Sequence, residues 1–217
     1  MKQFTYYEFT GILVPGGIFT AGILAMFPGS SAALSSSGIS FGEFGLLLLV
    51  AYGLGHLIQA VGNGVEWAWW SIYGGGMPSD WIRSGKRFLL SEPQRNAVFS
   101  KVRESFGIAL PDPVSDMSKR DWHAVVRQIY AEVQKCKAAE RLDAFTGNYG
   151  INRGLAAAFV ALAAISLLAD IDHGWRLYVG FGVFIALALV RMHRFGVHYA
   201  RELFVQFLTA EKNGGKP

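Results

Sequence analysis

Tyr52, His56, Gln59, Asn63 and Glu66 are the residues whose types and spacing could do chemistry. They recur at steps of 4, 3, 4 and 3 in a segment that is otherwise largely apolar. At ~100° per residue a helix gathers them into an arc of roughly 80°. A phenol, an imidazole, two carboxamides and a carboxyl on one such face have three uses. They can hydrogen-bond to neighbouring helices and fix packing. They can line a water-filled path in an oligomer. They can relay a proton or catalyse, with Glu66 and His56 as the acid–base pair. Hydrocarbon has no partners for these groups, so lipid is the one neighbour the stripe excludes. Gly53, Gly55, Gly62 and Gly64 interleave with it. They suit close helix approach or local unwinding and so fit all three readings.

A second periodic set is Arg191, Arg194, His198 and Arg201, at steps of 3, 4 and 3 just beyond the last apolar run. Placed there, the set reads first as a face that contacts anionic lipid headgroups and second as a site for a specific anionic ligand. Glu202, four residues after His198, is expected to pair with it on the helix surface. Cys136 is the only cysteine, which excludes an intramolecular disulfide, and it is expected as a packed thiol. Asp170, Asp172 and His173 cluster in one short link, but three polar residues without a fourth ligand predict no metal. The zinc-protease, nucleophile-elbow, Walker and dinucleotide signatures are absent in any fitting context, so no catalytic residue and no cofactor is assigned. Gly74, Gly75 and Gly76 lead into MPSDW as a turn, not as a phosphate cradle.

The elements that must hold these residues follow from the uneven spread of charge. The chain has 217 residues, of which 52% are hydrophobic and 17% charged. Soluble domains carry about 25% charged residues. Thr10 to Phe27 has no charged side chain and nearly spans a ~30 Å core at ~1.5 Å per residue. It reads as a span and not as a cleaved signal peptide, because Lys2 is the only basic side chain before it. Pro15, Gly16 and Gly17 are expected to kink or loosen it. The second span is Phe44 to Tyr73, closing on Trp67, Trp69 and Trp70, aromatics that favour the membrane interface. Leu155 to Ala169 and Leu177 to Met192 form a third and a fourth, joined as a hairpin.

Residues 74–153 hold thirteen of the twenty Lys and Arg residues, the tail from Arg191 holds five, and the loop between the first two spans holds none. Positive charge stays inside, so both termini and the middle region are expected in the cytoplasm. The net charge of +4 and the pI of about 9.2 express the same bias, and no nucleic-acid partner is expected.

Within the middle region Ser91 and Gln94 form a capping-box pattern opening a helix to Phe106, Gly107 ends it, and Ser118 with Asp121 opens another. Trp122, Val126, Ile129, Val133 and Cys136 make an apolar stripe that should pack on a neighbouring helix. At about 75 residues, the module should lean on other helices or on another subunit. The division expected is therefore spans 1 and 2 over residues 1–77, a cytoplasmic helical module over 78–153, a hairpin over 154–192 and a helical tail over 193–217.

The blocks GLGHLIQAVGN, GGGMPSDW, ERLDAFTGNYGINRGLAAAF and HRFGVHYARELF resemble those of an uncharacterised group of bacterial four-span membrane proteins. The resemblance covers most of the chain and implies the topology and a bacterial inner membrane, but no activity. The expectation is an all-α integral membrane protein with four transmembrane helices and a small helical cytoplasmic module between helices 2 and 3. It is read as a homo-oligomer against anionic lipid, channel-like or a scaffold, with room for a cytoplasmic protein partner. The alternatives are a ligand- or partner-gated membrane effector, by architectural analogy with anti-phage systems, and an intramembrane enzyme.

Overall fold

The computed structural model describes residues 8–27, 29, 40–73, 75–85, 89–135, 139–169 and 174–210. The expectations for Lys2, Gly74, Cys136, Asp170, Asp172 and His173, and for most of the loop after the first span, lie outside the described residues. Among the described residues every regular element is helical. A π-helical turn, Glu8–Leu13, runs into α1, Val14–Met26. Then come α2 (Phe41–Tyr73), α3 (Pro78–Ser84), α4 (Glu92–Phe106), a 3-10 turn Val114–Asp116, α5 (Lys119–Lys135), α6 (Ala139–Leu168) and α7 (Trp175–Thr209). Four helical stretches, starting at Phe9, Phe41, Arg141 and Trp175, are long and apolar enough to cross a membrane. The protein is an all-α, multi-pass membrane protein with four spans.

The third and fourth apolar runs are short as sequence, but the helices carrying them are not. α6 has 30 residues and α7 has 35, so each outlasts a ~30 Å core at ~1.5 Å per residue.

Two compact units divide the chain, one drawn from Met1–Trp69 with Gly147–His193, the other from Trp70–Thr146 with Arg194–Pro217. In the first, α1, α2 and α6 approach through glycine. A Cβ on Gly16 would run into the Ala51 carbonyl, and one on Gly55 into the Ile12 carbonyl, so these helices touch backbone to backbone. Gly154 on α6 faces the Pro15 ring in the same way. Phe19, Ile58, Ala157, Leu162 and Phe181 fill the rest of this core. In lipid there is little hydrophobic drive between helices, so such close contact and the polar groups it brings together hold the unit.

The second unit has a core of the soluble kind. Trp122, Val125, Ile129 and Val133 form the buried side of α5. They meet Val98, Phe99 and Val102 of α4, and Ala200, Leu203, Phe204 and Phe207 of α7. Trp122 stacks on Phe204 and meets Phe99 edge-on. The capping box at Ser91 and Gln94 is formed, and Gly107 ends α4 at a left-handed φ of 65°, a conformation that favours glycine. The Ser118 hydroxyl accepts from the Asp121 N–H at the head of α5. Basic side chains tie the elements together. Arg83 Nη1 donates to the Ser115 and Met117 carbonyls, Arg95 Nε to that of Ile82, and Lys101 Nζ to those of Leu208 and Ala210. Buried Asp80 Oδ1 lies 3.0 Å from His123 Nε2.

Candidate functional site

The polar stripe of α2 does not act as one surface. Its arc straddles the edge between the side of α2 that packs in its own unit and the side that does not. Gln59 and Glu66 fall on the packed side, while His56 and Asn63 fall on the other and are exposed.

Arg153, one helical turn before Ala157 on α6, organises the packed half. Its Nη1 donates to Glu66 Oε2 at 2.5 Å and its Nη2 to Gln59 Oε1 at 2.6 Å. Gln59 Nε2 donates onward to the Gly11 carbonyl. That carbonyl lies four residues before Pro15, whose ring nitrogen has no hydrogen to give an α-helical bond. The carboxamide therefore supplies a donor that the proline withholds. The Arg153 and Glu66 side chains are each 15% exposed. Gly62 makes the crossing feasible, since a Cβ there would stand 3.3 Å from Arg153 Cγ. Gly154 serves the same cluster, since a Cβ on it would sit 3.0 Å from Gln59 Nε2. The planar guanidinium suits this task because its fork satisfies two acceptors on one helix at once. The result links the turn before α1, α2 and α6 through one charge-paired network.

Arg153 is the functional residue that sequence reasoning missed, having been counted as the last cation of the 78–153 segment. A usable signal was present. Glu66 within an apolar helix calls for a counter-charge, and Arg153 stands at the head of the small-residue run GLAAA.

The outer half of the stripe is different. His56 meets Tyr52 edge-on, with ring centroids 4.8 Å apart and planes at 87°. His56 and Glu66 stand ten residues apart on α2, and among the described residues no contact joins them. Gly53 and Gly64, on this side, face open space, whereas Gly55 and Gly62 are the two that permit close approach.

The arginine set of α7 also divides. Arg191, Arg194 and Arg201 are all exposed, but Arg201 also makes a hydrogen bond within its own unit. The His198 ring stacks on Phe145 at 6.0 Å, and Arg201 Nε donates to the Leu89 carbonyl at 3.1 Å. Glu202 does not pair with His198. It pairs with Arg141 at 3.4 Å and accepts from Gln206 at 3.0 Å, because the His198 ring is taken up against Phe145. No protein-family model, no curated protein and no solved structure matches this chain.

Proposed function

We propose that the chain is a homo-oligomeric scaffold of the bacterial inner membrane, with its helical module and both termini in the cytoplasm. The observation that carries this reading is the Arg153–Glu66–Gln59 network. A pore lining keeps its polar groups available to water and ions. Here Glu66 and Gln59 are engaged within their own chain, which favours the packing role among the three readings of the stripe. The engagement of Arg201 by the Leu89 carbonyl and of His198 by Phe145 weighs against a ligand site on α7. It leaves anionic headgroups as the partner that the exposed cations of this set fit, each worth about 1 kcal/mol at a charged membrane surface.

Flux through purified protein in liposomes tests the reading. The wild type should pass no ions or small solutes above the lipid background, and Glu66→Leu should lower folded yield. A flux abolished by His56→Leu at unchanged yield would replace the scaffold by a conduit.

A further inference from the structure

From Gly53 to Trp67 the outer face of α2 is unlike a lipid-facing surface, whereas nearer the start of the helix the same arc carries exposed Leu46 and Leu49. Gly53, His56, Ala60, Asn63, Gly64 and Trp67 are all exposed, and at ~100° per residue they share an arc of roughly 100°. Measured from Phe44, where the apolar run begins, His56 lies about 18 Å and Asn63 about 28 Å along the helix. Both depths fall within a ~30 Å hydrocarbon core. Lipid tails offer neither group a hydrogen-bond partner, and bare patches at glycine and alanine pack poorly against lipid but well against another helix.

We infer that this face is the seam on which a second copy of the same chain docks, α2 against α2. The inference rests on the homo-oligomeric reading above and names its interface. Three features select a copy of this chain as occupant. Asn63 and His56 each carry a donor and an acceptor, so each can pair with its own counterpart. Copies inserted with one topology are parallel, and a twofold axis along the membrane normal brings residue i to residue i. Ala60 and Gly64, four residues apart, are the small pair that lets the two backbones come close at that axis. Among the described residues Gly53 and Gly64 also meet nothing within 4 Å, which leaves room for a partner above them.

Cysteine cross-linking in native membranes tests this, in a Cys136→Ser background that removes the only native thiol. Ala60→Cys and Gly64→Cys should each oxidise to a species of twice 23.7 kDa, since a disulfide needs Cα atoms within about 7 Å. Leu187→Cys, also exposed but on α7, should not. Asn63→Leu and Gly64→Ile should each weaken self-association about tenfold, while folded yield stays at the wild-type level because neither side chain touches the Arg153 network. Cross-linking through Leu187→Cys in place of the α2 positions would overturn the seam and leave a homo-oligomer standing. A monomeric mass in nanodiscs, with no cross-link anywhere, would overturn both.

Discussion

Arg153 decides which half of the α2 stripe belongs to the protein's own interior. A guanidinium midway along a membrane helix is costly unless it is paired, and here both of its terminal nitrogens are taken by acceptors on one neighbouring helix. Removing one partner of such a pair costs more than the pair contributes, because the survivor stays partly buried without its counter-charge. Arg153→Leu should therefore lower stability by about 3 kcal/mol, read as a fall in the detergent unfolding midpoint. Arg153→Lys should recover only part of it, since an ammonium cannot fork to Gln59 and Glu66 together. Adding Glu66→Leu to Arg153→Leu should restore stability relative to the single change, and a strictly additive double variant would show that the contact carries no coupling. The stripe itself was legible from a 4, 3, 4, 3 period. Its division was not, because an 80° arc straddles two environments when the neighbouring helix approaches from one side. Arg153 was hidden by its position, since a cation at the end of a basic segment satisfies the positive-inside rule and raises no further question.

At the scale of elements, the caps and turns were the most readable features. Ser91 with Gln94, Gly107, and Ser118 with Asp121 all bound the helices they announced, because each acts through a hydrogen bond to its own nearby backbone. The α5 stripe was readable too, with Val125 joining Trp122, Ile129 and Val133 on the buried side. What packs against it required information from far along the chain. The end of α7 reads locally as a helical continuation of a span, yet Ala200, Leu203, Phe204 and Phe207 are buried with α4 and α5. Their spacing of i, i+3, i+4 and i+7 is the signature of one apolar face, and it was present in YARELFVQFL. Phe204 is fully buried and stacks on Trp122, so Phe204→Ala should cost about 3–5 kcal/mol. The loss should appear as rapid proteolysis within residues 89–135 at a protease level the wild type survives. Leu187→Ala on the same helix, removing an exposed side chain, should leave that resistance intact. Equal resistance in the two variants would mean that the end of α7 is not needed by the module it packs on.

For the whole molecule, two kinds of cohesion coexist in one chain. The first unit holds together by glycine contacts and a few paired polar groups, as a protein in hydrocarbon must, and the second by an aromatic and aliphatic core, as a protein in water does. The long helices α2, α6 and α7 contribute residues to both units. Helix length and apolar composition establish that four stretches can cross a bilayer, but they are symmetric with respect to its two sides. Only charge breaks that symmetry. Eighteen of the twenty Lys and Arg residues lie in residues 74–153 or from Arg191 onward, and such residues resist translocation when they flank spans closely. With two spans on either side of it, the middle region then shares its side with both ends of the chain. In a Cys136→Ser background, an impermeant maleimide added to sealed right-side-out vesicles should label Ser35→Cys and leave Arg120→Cys unmodified until the vesicles are opened. Inside-out vesicles should give the opposite pattern. Labelling of Arg120→Cys from the outer side, with Ser35→Cys protected, would require the basic segment to have crossed the membrane and would invert the topology, although copies sharing the inverted orientation would still present α2 in parallel.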